Sequence, residues 1–179
     1  TKTEQFRARN AIFTGAAQMN CDYLLMLDDD HVIDWKETQG PNDQYDFLRK
    51  LINHMDSDPK IGIVGALFYH RGGDCLPVLM KESPDGGYYY MRDDEIKHEL
   101  QEVAVQGGGV MLCRMEALLR LPQPIFEAEH KYGTDVQVCQ KVRDAGYKVM
   151  SDTSIVLGHV LNRREVVTPE TRVRIMAES

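Results

Sequence analysis

Three consecutive carboxylates and an imidazole follow an apolar run in YLLMLDDDHV, at Asp28, Asp29, Asp30 and His31. Mutual repulsion disfavours such a cluster unless a positive group lies beside it. Carboxylate oxygens are ligands that Mg²⁺ and Mn²⁺ prefer, and both ions also bind diphosphates. Because side chains alternate along a strand, we expect Asp28 and Asp30 on one side and Asp29 on the other. The residue types predict a divalent-metal site; an acidic loop that caps a helix is the alternative.

The apolar run places these residues at the end of a strand. The segment CDYLLMLD is short and continuous, which is typical of a strand buried on both faces of a sheet. An amphipathic helix over residues 3–19 precedes it. Ligands of open α/β sheets bind beyond the carboxyl ends of the strands. We therefore expect the acidic cluster at a ligand-binding edge.

The remaining elements alternate between helix and strand and then include hairpins. Apolar residues from Phe47 to Met55 recur with helical spacing, and IGIVGALFY predicts a second buried strand. A hairpin turns at SPDG, strands EVAVQ and VMLC flank three glycines, and a short helix covers residues 114–121. A helix over Thr134–Ala145 precedes the strands YKVM and SIVLGHV. This order predicts an α/β fold with a mixed, mainly parallel central sheet flanked by helices.

Composition and charge exclude several classes of partner. The 179 residues carry a net charge of −7, which disfavours nucleic acid and anionic membranes. No apolar run approaches the roughly 20 residues of a membrane span. The four cysteines are widely spaced, without a CxxC pair, and predict buried free thiols in a reducing compartment, the cytoplasm.

The stretch RARNAIFTGAAQMNCDYLLMLDDDHV resembles the donor-site segment of metal-dependent nucleotide-sugar glycosyltransferases of the GT-A fold, family-2 type. In that family an A-R-N helix precedes an apolar strand that ends in a D-x-D motif. The resemblance implies that Arg9 and Asp29 belong to the donor site. It also implies that Asp28 contacts the donor ribose or the metal, and that Asp30 coordinates the Mn²⁺ or Mg²⁺ that holds the donor diphosphate.

Three consecutive glycines, Gly107, Gly108 and Gly109, match the glycine-containing strand beside the acceptor site in the same family. On the residues alone, such a run predicts that a ligand or another backbone segment approaches closely. A mobile loop or a bulge is the alternative. The resemblance places these glycines at the acceptor side of the site.

The segment YGTDVQVCQKVRDAGYKV resembles the family's E-D pair and the helix that follows it. Thr134 replaces the usual Glu at the acceptor side, and Asp135 matches the general base of inverting members. Glu127 and Glu129 are nearby substitutes for the missing acid. The alternative role for Asp135 is structural, since a carboxylate in the first turn of a helix interacts favourably with the helix dipole.

The late strand SIVLGHV contributes a histidine. His159 matches the histidine that completes the metal site in several GT-A enzymes, beside Asp28 and Asp30. A neutral imidazole is a suitable third ligand beside two carboxylates. A histidine satisfied within the core is one alternative, and His31 as the metal-bound imidazole is another.

The resemblance covers residues 5–161 and implies a transferase domain over 1–161, followed by a polar tail at 162–179. The sequence lacks the first strand-helix-strand unit of that fold, so we expect a fragment without the N-terminal part of the domain. The sheet edge that this part would cover is then exposed and would favour homo-oligomers. The expected reaction is sugar transfer from a nucleotide-diphosphate sugar to an acceptor hydroxyl, with inversion. A nucleotidyltransferase, or a non-catalytic module that binds metal, nucleotide or saccharide, is the alternative.

Overall fold

The computed structural model of the chain describes residues 2–33, 46–72, 74–127, 132–162 and 165–177. In these ranges the helices are α1 (Lys2–Gln18), α2 (Asp46–Ser57), α3 (Met115–Leu119), α4 (Thr134–Asp144) and α5 (Pro169–Ala177). The strands are β1 (Tyr23–Leu27), β2 (His31–Val32), β3 (Ile61–Leu67), β4 (Leu79–Glu82), β5 (Tyr88–Tyr90), β6 (Leu100–Glu102), β7 (Val105–Gln106), β8 (Val110–Arg114), β9 (Lys148–Val156), β10 (Gly158–Asn162) and β11 (Glu165–Val167).

The central sheet has five strands in the order β1-β8-β3-β9-β6. Strands β3 and β9 pair in parallel, whereas β1 with β8, β8 with β3, and β9 with β6 pair antiparallel. The α/β class and the mixed sheet are confirmed. The sheet is not mainly parallel in its pairing, because β8 returns between β1 and β3 and runs opposite to both. This insertion sets Val110, at the start of β8, opposite Leu27, at the end of β1.

Both faces of the central sheet are buried. All seven residues of β3 are buried, and they contribute to two apolar layers, Ile63 and Leu67 to one and Ile61, Val64 and Ala66 to the other. Phe13 and Ala16 of α1 and Val138 of α4 pack in one layer. Helix α2 covers the other face through Phe47, Leu51 and Met55, which recur every four residues. The helical stripe expected at Phe47 to Met55 is thereby confirmed.

Two small sheets complete the domain. One has the order β11-β10-β2 and the other β5-β4-β7. The expected hairpin is the β4–β5 pair, and its turn contains Gly86 at φ +81°. The expected strand EVAVQ is divided, since β6 ends at Glu102 and β7 begins at Val105. The glycine stop of α4 is observed at Gly146, which has φ +85°.

The expected polar tail at 162–179 is folded in its described part. Strand β11 pairs with β10, and α5 follows it with Arg172 and Ile175 buried. The segment is polar on average, but hydrogen bonds to β10 and one packed helical face hold it on the domain.

The cysteines are free thiols, and Cys75, Cys113 and Cys139 are buried as expected. Burial raises the pKa of the Cys139 thiol to about 12.

Candidate functional site

The end of β1 and the glycine segment before β8 form one backbone unit. The Asp28 N–H donates a hydrogen bond to the Gly109 carbonyl at 2.9 Å, which extends the pairing of the two strands by one residue. The chain then turns at Asp29 and Asp30, and the Val160 N–H donates to the Asp30 carbonyl at 2.9 Å. The acidic cluster therefore lies where β1, β8 and β10 meet.

Asp30, His31 and His159 form a group whose ligand atoms all lie within 4.8 Å of one another. His31 and His159 are direct partners in the antiparallel pairing of β2 with β10. Their rings stack with centroids 4.6 Å apart. The Asp30 Oδ1 atom is 3.6 Å from His159 Nε2. One carboxylate oxygen and two imidazole nitrogens form a ligand set that suits a transition-metal dication.

Hydrogen bonds to backbone carbonyls define the tautomer of both imidazoles. His159 Nδ1 lies 2.7 Å from the Tyr69 carbonyl oxygen, and His31 Nδ1 lies 3.3 Å from that of Gly158. A carbonyl oxygen only accepts, so we assign the proton of each ring to Nδ1 and a lone pair to Nε2. Carbonyl partners of this kind orient metal-binding histidines.

Two polar atoms of the group are buried without a hydrogen-bond partner among the described residues. They are Asp30 Oδ1 and His31 Nε2. Burial, and then the proximity of His159, lower the pKa of His31, which favours the neutral ring that a metal ion requires. Orphaned acceptors are uncommon in folded proteins, and a cation between them would satisfy both. The residues present therefore fit a divalent metal ion.

Asp28 and Asp29 lie outside this group. The Asp28 carboxylate is 46% exposed, and its Oδ1 is 4.0 Å from Nη2 of Arg9. Burial raises the pKa of Asp28, Arg9 lowers it, and the carboxylates of Asp135 and Asp30 raise it further. Asp29 is exposed in the turn. The structure thus brings Asp30 together with both histidines and sets Asp28 beside Arg9.

Asp135 lies in the first turn of α4, and both of its carboxylate oxygens accept hydrogen bonds. Arg9 Nη1 donates to Oδ1, and the Gly108 N–H donates to Oδ2 at 3.0 Å. The same Arg9 nitrogen donates to Thr134 Oγ1 at 2.9 Å. Arg9 is only 6% exposed, so this guanidinium is a fixed internal cation between the two acidic side chains, Asp28 and Asp135.

The three glycines are buried and tightly enclosed. A methyl group on Gly107 would lie 2.6 Å from Val78 Cγ1. On Gly108 it would overlap Asp135 Oδ1 and Arg9, and on Gly109 it would overlap His31 Nε2. The run is therefore closely packed, and the groups that approach it are mainly side chains rather than the ligand or backbone segment that the sequence predicted.

Two residues make contacts at the site that the sequence does not indicate. Arg71, in the segment after β3, places Nη1 2.8 Å from Asp30 Oδ2. Asn10 fixes the segment before α4, since its amide donates to the Phe126 carbonyl at 2.7 Å and accepts from the Phe126 N–H at 3.2 Å. These contacts join residues far apart in the chain, so no local spacing indicates them.

One proposed substitute for the missing acid, Glu127, has a cationic partner on α4. Glu127 forms an ion pair with Lys141 at 2.6 Å. Glu129 lies outside the described residues. Burial raises the pKa of the Tyr90 hydroxyl, and the negative charge of Asp135 raises it further. The Tyr90 hydroxyl also lies 3.2 Å from Nε2 of His70.

Comparison with known proteins identifies a fold. No family model matches the sequence, and no curated protein matches it. The crystal structure of A197 from STIV is similar, with a TM-score of 0.64 and 18% sequence identity over 92% of this chain and 72% of that chain. At this identity the likeness concerns the fold alone. Across the described ranges, no helix is long and apolar enough to cross a membrane.

Proposed function

We propose that the chain is a metal-dependent glycosyltransferase that moves a sugar from a nucleotide-diphosphate sugar to an acceptor hydroxyl. The observation that supports it is the juxtaposition of two functional groups at one end of the sheet. One is the Asp30, His31 and His159 group, and the other is Asp135, held by Arg9 and Gly108. The proposal includes the GT-A arrangement and the donor and acceptor sides that the sequence resemblance implies.

Asp30, His31 and His159 would hold the cation, which when bound neutralises the donor diphosphate and stabilises the departing nucleotide. Two imidazole nitrogens favour Mn²⁺ over Mg²⁺, which prefers oxygen ligands. In this proposal Asp28 is a donor contact, since its half-exposed carboxylate lies beside Arg9 and outside the metal group.

Asp135 acts as the general base. Its carboxylate takes the proton of the acceptor hydroxyl as that oxygen forms a bond to the anomeric carbon. The bond between the anomeric carbon and the diphosphate oxygen breaks, and the nucleoside diphosphate leaves with the electron pair. Arg9 and the Gly108 N–H fix the orientation of the base. Oδ1 also accepts a hydrogen bond from Thr134 Oγ1 at 3.3 Å, so Oδ2 is the oxygen that retains a second lone-pair site for the acceptor proton.

One observation favours a second candidate, a non-catalytic module that binds a metal and a nucleotide. Both oxygens of Asp135 are already engaged by the protein, and one partner is a buried guanidinium. Charge-assisted hydrogen bonds of this kind are strong, so the carboxylate can serve to hold Arg9 and the glycine segment in place rather than to take a proton. Such a module would bind the donor without turnover.

The location in the cell is also part of the proposal. Four free thiols, three of them buried, fit the reducing cytoplasm.

The experiment that separates the two candidates is a release assay. The chain is incubated with Mn²⁺ and a panel of UDP- and GDP-sugars, with and without saccharide acceptors, and the freed UDP or GDP is measured. We expect acceptor-stimulated release from one donor. Asp135→Asn should retain donor binding and lose transfer at least a hundredfold. Binding with no release in the wild type would favour the module, and normal turnover in the Asn variant would remove Asp135 from the mechanism.

A further inference from the structure

The two oxygens of Asp30 have different surroundings. Oδ1 is buried, has no hydrogen-bond partner among the described residues and faces His159 Nε2 at 3.6 Å. Oδ2 is paired with Nη1 of Arg71 at 2.8 Å. A side chain of the protein thus already supplies one positive charge to the group of residues expected to hold a cation.

Arg71 differs in its surroundings from Arg9, which also lies beside an acidic residue of this site. Arg9 is 6% exposed and is committed to Thr134 and Asp135. The Arg71 side chain is 51% exposed, so much of its guanidinium faces the solvent. A guanidinium has five N–H donors in a planar fork that matches phosphate oxygens. Arg71 can therefore contact Asp30 and an anionic ligand from the same position.

We propose that Arg71 is the residue of this chain that binds the donor diphosphate, and that its ion pair with Asp30 couples diphosphate binding to metal binding. The inference rests on the proposed function and names a contact that the sequence resemblance does not supply. With no nucleotide present, the Arg71 charge opposes a second cation at Asp30. A diphosphate engages the guanidinium and removes that opposition, so each ligand strengthens the binding of the other.

The substitution Arg71→Ala tests this coupling, because it should change two affinities in opposite directions. Mn²⁺ alone should bind about threefold more tightly, because the variant lacks the exposed guanidinium that pairs with Asp30 and repels the metal ion. UDP or GDP, titrated at saturating Mn²⁺, should bind roughly tenfold more weakly, because a charge-assisted contact to phosphate is lost. A purely structural role for Arg71 would weaken both.

Two further variants control the measurement. Arg71→Lys keeps the charge and loses the planar fork, so it should bind Mn²⁺ as the wild type does and bind nucleotide a few-fold more weakly. Arg120→Ala removes an equally charged, exposed arginine that pairs with Glu116 at 2.5 Å on α3, which follows the far end of β8. It should leave both affinities unchanged.

Calorimetric titration of the four proteins, first with Mn²⁺ and then with UDP and GDP, gives distinguishable results. Wild-type binding together with the two opposite changes in Arg71→Ala supports the inference. Wild-type binding with unchanged or weaker Mn²⁺ affinity in Arg71→Ala overturns the inference and leaves the proposed function standing. A folded wild type that binds neither Mn²⁺ nor nucleotide overturns both.

Discussion

The adjacent glycines Gly108 and Gly109 permit the two halves of the site to be disturbed separately. A methyl group on Gly109 would overlap His31 Nε2 and would lie 3.0 Å from Phe68 Cζ. Since van der Waals contacts to carbon begin at about 3.5 Å, the imidazole would have to withdraw by about 1 Å. Metal ligands tolerate deviations of only about 0.2 Å. We therefore expect Gly109→Ala to lower Mn²⁺ affinity at least tenfold.

The neighbouring substitution is the matched control. A methyl group on Gly108 would overlap Asp135 Oδ1 and Arg9 instead. It would disturb the Arg9–Asp135 contact and the Gly108 N–H bond, and we expect unfolding free energy to fall by about 1–3 kcal/mol. Mn²⁺ affinity should stay within about twofold of the wild type. Both variants would be studied by Mn²⁺ titration, with circular dichroism to verify folding. Unchanged Mn²⁺ binding in Gly109→Ala, or a loss confined to Gly108→Ala, would refute this assignment.

Three further predictions concern stability. Leu51 is fully buried beneath the sheet, so Leu51→Ala should lower the free energy of unfolding by about 2–5 kcal/mol in urea titrations, whereas a change below about 1 kcal/mol would contradict the packing described. Burial raises the pKa of Asp152, but hydrogen bonds from Ser154 and His54 outweigh it and hold that pKa below its ordinary value. Ionised Asp152 therefore stabilises the fold above about pH 4, and this contribution is lost as pH falls through the lowered pKa. Asp152→Asn should flatten the pH dependence of the free energy of unfolding below about pH 4, and an unchanged pH dependence in that range would disprove this role of Asp152. Mn²⁺ at a hundred times its dissociation constant should stabilise the wild type by about 2.7 kcal/mol in thermal unfolding, and an equal shift in His159→Ala would exclude that histidine as a ligand.

Local patterns predicted the elements of this fold better than their pairing. The apolar run of β1 and the stripe of α2 depend on neighbours in the sequence, and both are present in the structure. Whether neighbouring strands run parallel or antiparallel depends on the position of β8 between β1 and β3, and no local spacing indicates that position. The segment after Asn162 was expected to be a tail because it is polar, but β11 obtains its order from hydrogen bonds to β10.

The candidate metal site also depends on pairing between distant segments, which local patterns do not predict. Alternation along a strand predicted that Asp28 and Asp30 face the same side. Strand β1 ends at Leu27 and the chain turns at Asp29 and Asp30, so strand alternation does not apply to these residues. The choice between His31 and His159 could not be made from spacing. The pairing of β2 with β10 sets the two rings side by side and brings both to Asp30. The contacts of Asp135 with Arg9 and of Asp30 with Arg71 span the chain and have no local pattern.

The most direct measurement is calorimetric titration of the wild type and of Asp30→Ala with UDP and GDP, each with and without Mn²⁺. We predict that one of the two nucleotides binds the wild type only when Mn²⁺ is present, and that this binding is lost in Asp30→Ala. Metal-independent binding, equal binding in the variant, or no binding to a folded wild type would contradict a cation at Asp30, His31 and His159 that holds a nucleotide diphosphate.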